Sequence, residues 1–108
     1  MTPTFNERAN IDEFVRRTRA AVPDARIFVV DDASPDGTGE RVIELAASDP
    51  LLSLMSRDGA RGYAAASRDG LAQISAQDFG AVVTIDCDLS HDPRDIPMLL
   101  EALSRGAD

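Results

Sequence analysis

Apolar and polar positions fall in blocks along this chain, and the spacing inside each block changes from one to the next. Between Asn10 and Val22, the positions Ile11, Phe14, Val15, Thr18 and Val22 form one stripe at helical spacing, and Pro23 ends it. That pattern predicts an amphipathic helix. "RIFVVDD", residues 26–32, is apolar without interruption up to two aspartates and is rich in β-branched and aromatic side chains. It predicts a strand buried on both faces of a parallel sheet. The turn residues "ASPDGTGE" follow, after which Val42, Ile43, Leu45 and Ala46 predict a helix to about Ser48. Beyond Pro50 come a short apolar run "LLSLMS" (51–56), a loop "RDGARG" and a small-residue helix "YAAASRDGLAQI". "AVVTID", residues 81–86, predicts a further strand, and Pro93 opens a last helix through Leu103.

Helices and strands alternating over short loops imply right-handed crossovers, and so an α/β fold with a parallel sheet flanked by helices. Ligands of such sheets bind outside the carboxyl ends of the strands. Asp31 and Asp32, and likewise Asp86 and Asp88, stand at those ends and are expected to face one crevice. The pattern should begin with a strand, yet "MTPTFNE" reads as a turn, and the chain stops at Gly106-Ala107-Asp108 where another strand is due. The expectation is a chain cut at both ends.

Composition narrows the chemistry. With 108 residues, 44% hydrophobic and 28% charged, the chain suits one soluble globular domain, residues 1–108. Eleven basic against nineteen acidic side chains give a net charge of −8, which opposes binding to nucleic acid or to anionic membrane surfaces. Such a chain holds a phosphorylated ligand only with help from a metal ion, local arginines or helix N-termini. Cys87 is the single cysteine and His91 the single histidine, so an intrachain disulfide and a Cys/His zinc site are both excluded. A reducing, cytoplasmic setting is expected. No apolar stretch approaches the roughly 20 residues that span a bilayer, and no signal-peptide pattern opens the chain.

The candidate chemistry lies in the carboxylates. Two of them a few ångströms apart repel by about 1 kcal/mol in water and about 4 kcal/mol at an effective dielectric near 20, a penalty that a cation removes. Asp86-Cys87-Asp88 suits Mg²⁺ or Mn²⁺, hard cations that take their remaining ligands from water and phosphate. It equally suits a polar strand end entering a turn. Asp92, directly before Pro93, is placed as a helix N-cap, and His91 as a loop residue. Asp31 and Asp32 either cap the turn before "SPDG" or accept hydrogen bonds from a base or ribose. Glu7 suits a helix's first turn or a ligand contact. Arg57 and Arg61, set among glycines before a helix, either hold phosphate or are solvated.

Together, "PTFNE" (3–7), "VVDDASPDGT" (29–38), "RGYAAASRDGL" (61–71) and "IDCDLSHDP" (85–93) resemble, in order and spacing, the family 2 glycosyltransferases of GT-A fold. The closest likeness is to the polyprenol-phosphate (dolichol-phosphate) mannose synthases. The resemblance covers essentially the whole chain and implies a partial, Rossmann-like GT-A domain, the nucleotide-sugar-binding half of an enzyme. It implies transfer of mannose from GDP-mannose to a polyprenyl phosphate with inversion, aided by Mg²⁺ or Mn²⁺, at the cytoplasmic face of a membrane.

By position, the resemblance places Pro3, Phe5, Glu7, Val30 and Asp32 around the nucleotide, and Asp86, Cys87, Asp88 and Ser90 along the diphosphate. Asp86 and Asp88 become the metal-site aspartates, with Asp88 the one on which catalysis turns. Phe5, Cys87 and Tyr63-Ala64 depart from the family's usual tyrosine, alanine and leucine-glycine. Alternatives are a family 2 transferase using another nucleotide sugar, a nucleotide-binding fragment without activity, and a response-regulator receiver. The receiver would need a lysine, and the chain has none. A second copy or a membrane subunit as partner stays open.

Overall fold

The computed structural model describes residues 1–57, 62–77 and 79–104, without the Tyr63 side chain. Its elements run β1 (Thr2–Thr4), α1 (Ile11–Ala21), β2 (Ile27–Asp32), α2 (Thr38–Ala46), β3 (Leu52–Arg57) and α3 (Tyr63–Ser75), and then a 3₁₀ turn (Pro93–Asp95) leading into α4 (Ile96–Ser104). The strands form one sheet in the order β1-β2-β3, with both pairings parallel. The α/β reading therefore holds.

Side chains alternate across a strand, and β2 uses both directions. Ile27 and Val29 join Ile11, Phe14 and Val15 of α1, Val42 of α2, Leu52 of β3 and Ile96 of α4 in the main core. Val30 points the other way, with Met1 and with Ala66 and Ile74 of α3, and Phe28 packs against that second cluster. The sheet is thus covered by α1, α2 and α4 on one face and by α3 on the other. Gly70 lets α3 approach closely, since a Cβ there would lie 2.7 Å from Val30 Cγ2.

Two expectations, one at the amino end and one at residues 81–86, need correction. "MTPTFNE" does not begin in a turn: Thr2, Pro3 and Thr4 pair with Val29, Val30 and Asp31. Thr2 and Thr4 are buried although polar, and the Thr4 hydroxyl is satisfied by donating to Asp31 Oδ1 at 2.7 Å. Conversely, residues 81–86 form no ladder strand. The segment runs beside β1, where the Met1 amine donates to Val83 O at 2.8 Å and Ile85 N to Met1 O at 3.1 Å. No helix among the described residues is long and apolar enough to cross a membrane.

Candidate functional site

A cleft of about 370 Å³ is lined by Pro3, Thr4 and Phe5, by Glu7, by Asp32, by Gly62 and Ala66, and by Asp86, Cys87 and Asp88. It lies past the carboxyl ends of β1 and β2, where a parallel sheet offers its crevice. Of the positions read from the sequence, Pro3, Phe5, Glu7, Asp32, Asp86, Cys87 and Asp88 meet here. Val30 and Ser90 do not line it. The alternation along β2 turns the Val30 side chain under α3, and Ser90 is exposed, its amide donating to Asp88 Oδ1 at 2.9 Å.

The same alternation separates the two neighbouring aspartates. Asp31 is buried on the α1/α2 side, where its Oδ1 accepts from the hydroxyls of Thr4 and Ser34, at 2.7 and 2.6 Å, and its Oδ2 from Ser34 N at 3.1 Å. It ties β1 to the turn after β2. Asp32 is buried on the α3 side and borders the cleft; its Oδ2 accepts from Gly62 N at 3.1 Å. The pair is thus divided, Asp31 building the turn and Asp32 facing the cleft.

The "SPDGT" turn has a structural task that its sequence did not disclose. Asn6 N donates to Ser34 Oγ at 2.9 Å, Glu7 N to Thr38 Oγ1 at 3.1 Å, and Arg8 N to Asp36 Oδ2 at 3.0 Å. Successive amides of the β1–α1 loop are latched by side chains two residues apart on the turn. Asn6 adopts φ 57°, a left-handed conformation that asparagine tolerates, and Phe5 and Glu7 on either side of it line the cleft. Ser34, Asp36 and Thr38 themselves stay outside the lining.

By its sequence setting, Arg57 either holds phosphate or is solvated. Instead it is buried against carboxylates: Nη1 lies 3.0 Å from Asp32 Oδ1, and Nε donates to Asp69 Oδ2 at 2.9 Å. Nothing in the local sequence signals this pairing, which arises because Arg57 is the register partner of Asp32 and both face α3. Arg61 lies outside the described residues. Asp92 caps the turn as read, accepting from Arg94 N at 3.0 Å with Pro93 next in line.

The cleft is strongly negative: Glu7, Asp32, Asp86 and Asp88 line it, and no arginine does among the described residues. The Ser90 side chain, followed by its amide, holds the Asp88 carboxyl below its ordinary value, so Asp88 is a carboxylate at neutral pH. Burial, with Glu7 and Asp88 adding to it, pushes the Cys87 thiol up to about 12, so it stands in the cleft as a neutral thiol at neutral pH. Among the described residues, no cluster of three or more His, Cys, Asp or Glu is positioned around a metal. What the lining does offer is the carboxylate oxygens of Asp86 and Asp88. Those fit a hard cation that completes its shell with water and ligand phosphate, and do not fit an all-protein cage.

Comparison with known proteins agrees with this architecture. The family model described as glycosyl transferase family 2 matches residues 1–108. A polyprenol monophosphomannose synthase of Mycolicibacterium smegmatis is 41% identical over 107 residues, 98% of this chain and 40% of that protein. An undecaprenyl-phosphate mannosyltransferase of Micrococcus luteus is 43% identical over 105 residues, 94% of this chain and 42% of that protein. A dolichol-phosphate mannosyltransferase of Pyrococcus furiosus is 38% identical over 108 residues, 98% of this chain and 30% of that protein. The chain therefore spans less than half the length of these relatives.

Proposed function

Because the chain belongs to glycosyl transferase family 2, we propose that it is the donor-binding part of a polyprenol-phosphate mannosyltransferase. In this reading the donor is GDP-mannose, the acceptor a polyprenyl phosphate at a membrane surface, and the cation Mg²⁺ or Mn²⁺. The observation that carries it is the convergence of Pro3, Phe5, Glu7, Asp32, Asp86, Cys87 and Asp88 on one cleft at the sheet's carboxyl edge. The activities for which the three relatives are named support the mannosyl donor and the polyprenyl acceptor.

The residues take distinct roles. Asp32, on the α3 side of the cleft, accepts hydrogen bonds from the nucleoside, with Pro3, Phe5 and Glu7 as its surroundings. Asp86 and Asp88 hold the cation, with Asp88 the carboxylate on which turnover depends. Bound there, a cation would supply positive charge where the leaving diphosphate accumulates negative charge. A cleft lined by Glu7, Asp32, Asp86 and Asp88 would otherwise repel that diphosphate. An oxygen of the acceptor phosphate attacks the anomeric carbon as the bond to the diphosphate breaks, which releases GDP and inverts the configuration. The acceptor is already an anion, so no strong general base is needed.

Calorimetry with GDP and Mn²⁺ tests this directly. The unaltered chain should bind GDP only with the metal, and Asp88→Asn should lose at least about tenfold in affinity, as removal of one charge-assisted ligand predicts. Metal-independent GDP binding, or full affinity in Asp88→Asn, would refute the assignment. UDP in place of GDP separates a transferase that uses another nucleotide sugar.

A further inference from the structure

Arg57 and Asp32 form the least accessible ion pair in the described structure, with side chains only 10% and 6% exposed. Their facing atoms, Arg57 Nη1 and Asp32 Oδ1, are buried and 3.0 Å apart, yet neither has a hydrogen-bond partner, so the contact is ionic and not a directed bond. A buried charge is retained only when paired, and each member holds the other in place. Arg57 is fixed from the other side by Asp69 of α3, whose Oδ2 accepts from Nε at 2.9 Å while its side chain is 54% exposed. Asp32 Oδ1 is thereby turned into the protein. Oδ2, steadied by the Gly62 amide at 3.1 Å, is left as the oxygen able to meet a ligand in the cleft.

We propose that Arg57 and Asp69 are positioning residues for nucleoside recognition: Asp69 of α3 holds Arg57, and Arg57 holds the Asp32 carboxylate with one oxygen presented to the base or ribose. The inference rests on the cleft being the nucleotide site and adds how its acceptor is oriented. Asp69 does not line the cleft, and its bond to Arg57 is the link by which its replacement would reach Asp32. Among the described residues, no hydrogen bond or ion pair joins Asp86 or Asp88, the proposed diphosphate end, to this chain of charges.

The test titrates the 108-residue chain by calorimetry with GDP and Mn²⁺ and, separately, with pyrophosphate and Mn²⁺. The proteins are the unaltered chain, Asp69→Asn, Arg57→Lys, Asp32→Asn and the double variant Asp69→Asn/Asp32→Asn. Asp69→Asn and Arg57→Lys should each weaken GDP about fivefold, the scale of one lost orienting contact, and leave pyrophosphate unchanged. The Asp69→Asn effect should vanish in the Asp32→Asn background, which a merely structural role would not produce. Unchanged GDP affinity in both variants, equal losses for GDP and pyrophosphate, or additive effects of Asp69→Asn and Asp32→Asn would each overturn the inference while leaving the nucleotide site standing. Failure of the unaltered chain to bind GDP with Mn²⁺ overturns the site and the inference together.

Discussion

Thr38→Val removes a single hydroxyl from the latch that shapes one wall of the cleft. Thr38 is fully buried, and its Oγ1 accepts from Glu7 N at 3.1 Å while donating to Asp36 Oδ1. Valine keeps the shape and leaves the half-buried Glu7 amide without its acceptor, a cost of about 1–3 kcal/mol. Asp36 is exposed and recovers water, so its loss adds little. The buried methyl that replaces the hydroxyl returns about 0.8 kcal/mol. The net destabilisation is about 1 kcal/mol, or a fall in Tm of about 4–8 °C for a domain of this size. Thr38→Ser is the control: it keeps the hydroxyl and loses a methyl, which costs a similar amount. Thermal melts followed by circular dichroism should show both variants destabilised. GDP titrations with Mn²⁺ should show weaker binding in Thr38→Val alone, because only there is Glu7 released from its position in the cleft lining. A Thr38→Val melt at the unaltered temperature, or equal affinity in the two variants, would refute the latch as what shapes the site.

Two further outcomes follow from ionisation. Cys87, its thiol pushed up to about 12 chiefly by burial, should resist iodoacetamide at pH 8 in the folded chain and react once denaturant is added; rapid modification of the folded chain would contradict its placement. The Arg94 side chain and amide draw Asp92 down to about 2, so its folded value lies below its unfolded one. Its contribution as a cap is then present above about pH 4 and lost as the pH falls toward about 2. Helicity in the last segment should fall over that window, and Asp92→Ala should abolish that part of the pH dependence in a circular-dichroism titration.

Elements held together by local rules were legible in the sequence. The α1 stripe buries Ile11, Phe14, Val15 and Thr18 as its spacing requires, and the apolar run of β2 is covered on both faces. The Asp92 cap needed only its neighbour Pro93. Strand β1 was not legible, because Thr2-Pro3-Thr4 has no apolar pattern and becomes a strand only through its pairing with β2. Residues 81–86 carry a strand's composition, but the neighbouring β1 spans only three residues, and ladder hydrogen bonds depend on a partner's length, which composition does not encode.

The candidate site divides in the same way. The motif positions converge on a cleft, but adjacency misled at Asp31 and Asp32, where strand alternation sends one carboxylate to the scaffold and the other to the cleft. Arg57 misled as well, since its partners Asp32 and Asp69 come from β2 and α3.

The latch also bears on how this protein can vary. Surface loops ordinarily tolerate insertions, because few of their backbone groups are committed to partners. The β1–α1 loop has no such slack: the amides of Asn6, Glu7 and Arg8 are matched one by one to Ser34, Thr38 and Asp36. Adding or deleting a single residue in either segment would shift every pairing at once. Drift in the length of this part of the chain would thus have to be matched across two segments about thirty positions apart, while substitutions of Ala9, which is exposed and outside the latch, meet no such restriction.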